Sequence, residues 1–158
     1  MDSNYLKTIR ILYFALAMGI VFFLLVTLLL NKLSGPFAED DISSNERAPF
    51  IIVLIVLTGG IFMVYKAIYP KKRATIQSLT TLDKKLAAWR ELCILQGALI
   101  EAPAFFALVL FLLLGIYTLL LWPLTGLLLF WLTQPTREKL IGDAALSLTE
   151  IDEFDAMP

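Results

Sequence analysis

The sequence predicts an all-α integral membrane protein built as a four-helix bundle, and three observations predict it. Fifty-nine per cent of the 158 residues are hydrophobic, with a mean hydropathy of +0.80. Long runs without a charged residue recur along the chain, and the basic residues cluster between alternate runs. A water-soluble domain of this size cannot bury so much apolar surface in its own core. We therefore expect the chain to lie in a lipid bilayer.

The residue types exclude several classes of function. The chain has no histidine and one cysteine, Cys93. Clusters of thiolates and imidazoles that bind metals, Cys-His pairs, Ser-His-Asp triads and internal disulfides are therefore excluded. A net charge of −1 provides no basic field for nucleic acid. We expect a non-enzymatic protein without metal or cofactor, whose partners are the lipid bilayer and further copies of the chain or a membrane complex.

The first two apolar runs predict spans at about 11–31 and 48–69. The run from Ile11 to Asn31 is uncharged, and at 1.5 Å per residue it can cross a hydrocarbon core of about 30 Å. It exceeds the apolar stretch of about 7–15 residues in a signal peptide. The second run ends near Tyr65 and Tyr69, aromatic residues of the kind that lie at lipid headgroups.

A longer apolar stretch predicts a hairpin of two further spans. The 45 residues from Leu92 to Thr136 contain one charge, Glu101, and are too many for a single crossing. Glycine interrupts helices and tyrosine marks membrane interfaces, so we place the turn at Gly115 to Thr118. The predicted spans are about 92–114 and 118–134.

The distribution of basic residues predicts the orientation. Eleven of the 13 Lys and Arg residues lie at the amino end, between spans two and three, or at the carboxyl end. Only Lys32 and Arg47 lie in the loop between spans one and two. Because cytoplasmic loops carry an excess of Lys and Arg, we expect both termini in the cytoplasm and a multi-pass location in a bacterial inner (plasma) membrane.

Two segments are expected outside the bilayer. Apolar residues spaced by three or four from Ile76 to Trp89 predict an amphipathic cytoplasmic helix at about 76–90, separated from span two at Pro70. The acidic segment 143–158 is predicted to be a disordered tail beyond the membrane domain 1–142. The basic residues around the amphipathic helix either are simply solvated or form a surface for anionic lipid or a partner: Lys71, Lys72, Arg73, Lys84, Lys85 and Arg90.

Glu101 is the candidate functional residue. It lies about ten residues into span three, close to the middle of the membrane. An ionised carboxylate there is unfavourable by about 2.5–3.5 kcal/mol on insertion scales. We therefore expect a protonated Glu101 that faces the bundle interior, where Thr58 and Thr125 lie at similar depth as hydrogen-bonding neighbours. Three roles stay open: fixing helix register, binding a proton or ion, and contacting a lipid or another subunit.

Small residues predict the helix-packing surfaces, because they let backbones approach closely in lipid. The predicted packing residues are Ala15 and Gly19 on span one, Gly59 and Gly60 on span two, and Gly97, Ala98 and Ala104 on span three. Pro103 lacks an N–H and frees the carbonyl of Leu99 in the same layer as Glu101.

The stretch from Arg90 to Leu114 resembles the proton-binding helix of the ring-forming proteolipid of rotary ATP synthases. The residues that carry this resemblance are Arg90, Glu101, Ala102, Phe106, Ala107, Leu108 and Val109. The resemblance covers about 25 residues and implies that Glu101 binds protons. Span two departs from the pattern, because Gly59 and Gly60 stand where that family has a ladder of glycines.

The whole chain also resembles an uncharacterised group of small four-span bacterial inner-membrane proteins. This second resemblance rests on Glu101, Pro103, Phe105 and Phe106 in span three and on the ending Pro135 to Lys139. It implies the fold and the location, and no activity. Three functions follow as alternatives: a non-enzymatic membrane protein of unknown role with a protonated Glu101, a module that translocates protons or ions, and an accessory subunit that docks through its cytoplasmic helix.

Overall fold

The computed structural model describes residues 4–37 and 44–156, and in these ranges the backbone is helical with no strand. The six α-helices in these ranges are α1 (Asn4–Ser34), α2 (Ser44–Gln77), α3 (Leu82–Leu114), α4 (Leu121–Leu132), α5 (Arg137–Ala144) and α6 (Leu148–Ala156). A 3-10 helix, Tyr117–Leu120, precedes α4. The all-helical prediction is confirmed.

Three of these helices are long and apolar enough to cross a membrane: α1, residues Arg47–Gln77 of α2, and α3. The 3-10 helix and α4 together extend for about 26 Å, from rises of about 2.0 and 1.5 Å per residue. They bend by 79° into α5 after a short break, and the bent pair counts as a fourth crossing only if it is taken as one broken span. Pro135, which cannot continue a helix, stands in that break.

The helix α3 is the centre of the molecule. It packs against α1, α2 and α4, whereas α1 and α2 make few contacts with each other, as do α2 and α4. Large apolar side chains on the outer faces of α1, α2 and α4 are exposed, for example Phe22, Met63 and Trp131. Exposed apolar surface on this scale is expected of helices that lie in lipid.

At one end of the molecule, five helices close a separate core that we name the cap. The start of α1, the end of α2 and the start of α3 meet α5 and α6 there. Its buried residues are Leu6, Ile9, Ile76, Leu82, Leu86, Trp89, Leu92, Cys93, Leu140, Ala144, Leu146 and Phe154. The predicted disordered tail is thus corrected for residues 143–156, because Leu146 and Phe154 anchor it in this core; residues 157–158 lie outside the described ranges.

The predicted break at Pro70 is also corrected. The helix α2 continues through Pro70 to Gln77, and the predicted amphipathic helix at 76–90 is divided by a turn before α3 begins at Leu82. Proline weakens a helix by about 3 kcal/mol, but the segment beyond it is held by Ile76 in the cap core and by side-chain bonds to α5. The helix α3 then runs without a break into the third apolar run.

At the opposite end of the molecule, the start of the α1–α2 loop at Pro36 and Phe37 packs against the α3–α4 turn. The backbone N–H of Phe37 donates to the carbonyl of Leu112 at 3.2 Å. Gly115 ends α3 with φ +67°, and a Cβ on it would lie 3.2 Å from Pro36. Both the left-handed backbone and the close approach favour glycine here, as the predicted turn at Gly115 requires.

Candidate functional site

Glu101 lies in the seam between α3 and α1. It is half-buried, and its Oε1 would lie 3.3 Å from a Cβ added to Gly19. The ring of Phe105, one turn further along α3, also approaches Gly19 and contacts Phe23 edge to face at 5.3 Å. Among the residues that the structure describes, none forms a hydrogen bond or ion pair with the Glu101 carboxyl group.

Thr58 and Thr125 do not meet Glu101. The Thr58 hydroxyl donates to the Leu54 carbonyl at 2.8 Å and accepts from Trp122 Nε1 at 3.0 Å. Thr125 donates to the Leu121 carbonyl at 2.7 Å and is exposed. The two threonines lie at a depth similar to that of Glu101 but on a different side of α3. Because an α-helix turns about 100° per residue, Glu101 points roughly 140° away from the side of α3 that α2 and α4 flank.

The predicted packing residues fall into two groups. Gly97 packs against Leu16 of α1, and Ala104 packs against Gly126 of α4; Gly19 receives Glu101. In contrast, Gly59 and Gly60 are exposed and a Cβ on either would meet nothing within 4 Å. Ala15 and Ala98 are also exposed. The two glycines of span two, and Ala15 and Ala98 on spans one and three, are therefore not used for packing within the described chain, because α1 and α2 make few contacts with each other.

A cavity occupies the gap between α2, α3 and α4. Its volume is about 600 Å³, and its lining residues are Thr58, Ile61, Phe62, Tyr65, Gln96, Leu99, Ile100, Pro103, Leu121, Trp122, Thr125, Gly126, Leu129 and Thr133. None of them is charged, and Glu101 is not among them. The volume lies within the range of about 300–1,000 Å³ that is usual for small-molecule sites.

Thr58 and Trp122 at one end of this cavity have hydrogen-bond partners, whereas Gln96 and Tyr65 at the other end retain unused hydrogen-bonding capacity. Thr58 and Trp122 are bonded to each other at the end remote from the cap. Near the cap, Gln96 is 8% exposed and its Nε2 donates to Tyr65 Oη at a long 3.4 Å. Within the described residues, no donor reaches Gln96 Oε1 and no acceptor takes the Tyr65 proton.

The cap contains a buried carboxylate that the sequence analysis missed. Asp143 is 8% exposed, and its Oδ2 accepts from Tyr69 Oη at 3.0 Å and Trp89 Nε1 at 3.3 Å. Arg73 Nε lies 3.4 Å from its Oδ1. The sequence signal was the spacing of Leu140, Asp143 and Ala144, which places the three side chains on one face of a helix.

The predicted basic surface is smaller than expected. Lys85 is buried and pairs with Glu150 at 2.7 Å, and Arg73 is bonded to α5 through Asp143 and the Gly142 carbonyl. These two residues hold the cap together. Arg73 is exposed as well as bonded, and the other exposed cations of the set are Lys71, Lys72, Lys84 and Arg90.

No family model, curated protein or solved structure matches this chain. Its function must therefore be argued from its own geometry.

Proposed function

We propose that this chain is a non-enzymatic four-span protein of a bacterial inner membrane that assembles with a neighbouring membrane helix through Glu101. In this proposal the 3-10 helix and α4 form the fourth span, and the cap lies in the cytoplasm with both termini. The exposed cations Lys71, Lys72, Lys84 and Arg90 support that placement, because anionic headgroups of the cytoplasmic leaflet attract Lys and Arg by about 1 kcal/mol each.

The observation that carries the proposal is the unpartnered carboxyl group of Glu101. It lies 9 residues, or about 14 Å, beyond Leu92 in an apolar helix, and no described residue of the chain bonds it. A polar group in hydrocarbon without a hydrogen-bond partner costs several kcal/mol. A helix from another subunit that donates to Glu101 removes this cost.

The surface beside Glu101 suits a helix. The row Ile94, Ala98, Ala102, Val109 and Leu113 on α3 is exposed between α1 and α2. Its two alanines, together with Ala15 on α1, leave room for a close backbone approach of the kind that stabilises helix pairs in lipid. Ion translocation finds less support, because Glu101 Oε1 and the Phe105 ring both lie beside the apolar Gly19.

Native mass spectrometry in a mild detergent tests the assembly. We expect the wild type and Glu101→Gln, which retains hydrogen bonding, to appear in a complex, and Glu101→Leu to appear as the single chain. Thr125→Val is the matched control, because Thr125 is exposed on α4 and its hydroxyl is already bonded within the helix. A single-chain mass for the wild type, or an unchanged complex in Glu101→Leu, would refute the proposal.

The proposal also holds that Glu101 carries a proton in the membrane, because the ionised form there is costly. Dicyclohexylcarbodiimide reacts with protonated carboxyl groups in apolar surroundings. We expect it to label Glu101 at neutral pH, with labelling that declines at high pH and is absent in Glu101→Gln. Labelling that never reaches Glu101 would contradict the protonated state.

A further inference from the structure

We infer that the cavity between α2, α3 and α4 binds a neutral lipid alcohol, with its hydroxyl group at Gln96 and Tyr65 and its apolar chain directed toward Trp122. This inference does not rest on Glu101, which lies on a different side of α3 and does not line the cavity.

The walls determine the apolar part of the ligand. The cavity runs along α4 from Thr133 to Leu121, twelve residues or about 18 Å. Most of its lining side chains are aliphatic or aromatic. The helices α2 and α4 each pack on α3 but make few contacts with each other, so the cavity opens sideways between them. A molecule with a hydrocarbon chain can therefore enter from the bilayer in which we place these helices.

The unused hydrogen-bonding groups determine the polar part. Gln96 is 92% buried, lines the cavity and has no donor at Oε1, while the Tyr65 hydroxyl has a proton without an acceptor. An alcohol hydroxyl complements both groups, because it donates to Gln96 Oε1 and accepts from Tyr65 Oη. Pro103 adds a further acceptor beside the cavity, since it has no N–H to donate to the carbonyl of Leu99.

The absence of charge among the lining residues selects an uncharged headgroup. A carboxylate or phosphate in this cavity would be desolvated without a cationic partner, which is strongly unfavourable. The position of Gln96 agrees with an amphiphile, because it lies only about 6 Å along α3 from Leu92 in the cap core. The headgroup is then near the membrane boundary and the chain extends inward. At the far end Thr58 and Trp122 bond each other and leave an apolar environment for the chain.

The test uses three probes with the same chain: 1-monooleoylglycerol, methyl oleate and oleate. Binding to the detergent-solubilised wild type is measured by native mass spectrometry titration. We expect monooleoylglycerol to bind at least tenfold more tightly than methyl oleate, which has no hydroxyl group, and than oleate, which is charged. Equal affinity for the three probes would overturn the inference.

Substitutions inside and outside the cavity test where monooleoylglycerol binds. Gln96→Leu and Tyr65→Phe each remove one hydrogen bond to the ligand's hydroxyl group. Each should weaken the binding of monooleoylglycerol about tenfold, the equivalent of about 1.4 kcal/mol. The affinity for methyl oleate should not change. Leu99→Trp fills the cavity and should abolish binding of both. Leu124→Trp is the matched control, because Leu124 is exposed on α4 and does not line the cavity.

Two results would contradict the inferred site. One is binding that survives in Leu99→Trp and in Thr125→Phe, a second cavity-filling variant at an exposed lining position. The other is a Tyr65→Phe variant that retains the full preference for monooleoylglycerol. Tyr65→Phe keeps the aromatic ring and its packing, so it distinguishes the lost hydroxyl from a folding defect even if Gln96→Leu is unstable.

Discussion

Gly97 allows α1 to pack closely on α3 because glycine has no Cβ. A Cβ at this position would lie 2.8 Å from Leu16 Cδ1 and 3.4 Å from the ring of Tyr13. Those side chains pack directly over the glycine, as small residues allow at helix contacts in lipid. Gly59, by contrast, has nothing within 4 Å of its Cβ position.

The two glycines provide a matched pair of substitutions. We expect Gly97→Leu to destabilise the fold by roughly 1–3 kcal/mol through overpacking, and Gly59→Leu to leave it close to wild type. Thermal unfolding in detergent measures both, and the Gly97 variant should melt several degrees lower. Equal melting temperatures would show that the α1–α3 contact at Gly97 is not tight.

A second residue, Asp143, accepts from donors on two other helices of the cap, α2 and α3. Asp143→Ala leaves the Tyr69 hydroxyl and the Trp89 indole N–H without their acceptor. Buried donors left unpaired cost about 1–3 kcal/mol each, so we expect a loss of about 3 kcal/mol in chemical denaturation followed by tryptophan fluorescence. Asp143→Asn retains one acceptor oxygen and should lose less. Asp152→Ala, an exposed change on α6, should stay within about 0.5 kcal/mol of wild type.

At the scale of elements, α6 is held by one apolar anchor and two ion pairs. Phe154 is buried in the cap core, Lys85 pairs with Glu150 at 2.7 Å, and Arg137 pairs with Asp155 at 2.6 Å on the surface. Bonds from Lys85 and from the backbone and hydroxyl of Ser147 lower the pKa of Glu150 from 4.5 to about 2.

This lowered pKa predicts an acid-sensitive α6. The folded cap bonds the carboxylate form, so the stabilisation is complete above pH about 4.5 and is lost as the pH falls toward about 2. Asp155 also has a lowered pKa beside Arg137, so the experiment is done with Asp155→Asn in every variant. Hydrogen exchange in α6 should then increase below pH about 4 relative to α3.

Glu150→Gln supplies the control for this pH dependence. It removes the titrating group, so α6 should already exchange faster at neutral pH and should change less on acidification. The same pH dependence with and without Glu150 would show that the ion pair with Lys85 does not hold α6 in place.

The elements were predicted well where one physical pattern dominates. Uncharged runs defined α1 and α3, and the glycine with a following tyrosine defined the hairpin turn. Pro70 was misjudged because helix propensity is local, whereas Ile76, Arg73 and Gln77 hold the last turns of α2 through contacts distant in sequence. The tail was misjudged because its acidic composition outweighed the apolar residues Leu146, Ile151 and Phe154, whose binding site is assembled from other helices.

The candidate site was predictable only in part for the same reason. Depth along a helix follows from counting residues, so the mid-span position of Glu101 could be predicted from the sequence. Which helix faces which side of α3 depends on packing, and this separated Glu101 from Thr58 and Thr125. The pairing of Gln96 with Tyr65 joins two helices across a cavity, and no spacing within either helix predicts it.

At the scale of the whole molecule, the loops and ends alternate between two sides. The start of α1, the α2–α3 turn and α6 meet in the cap, whereas the end of α1 leads to Pro36 and Phe37 beside the α3–α4 turn. The proposed four-span topology predicts this arrangement. It agrees with the segregation of basic residues, a separate property of the sequence.

Cysteine accessibility tests the proposed orientation. In a Cys93→Ala background, Lys84→Cys reports on the cap side and Tyr117→Cys, which is 68% exposed in the parent, reports on the opposite end. A membrane-impermeant maleimide should label only the Tyr117 variant in intact spheroplasts and should label both after permeabilisation. If only the Lys84 variant is labelled in intact spheroplasts, the orientation is opposite to the one proposed.

The cap also imposes an order on biosynthesis. Leu6 and Ile9 leave the ribosome first, Trp89 and Leu92 follow midway, and Phe154 is translated last. The apolar side chains of the early residues therefore stay uncovered by the rest of the cap until Phe154 has been translated. A chain that stops before Phe154 lacks a buried residue of this core and should be recognised by cellular proteases.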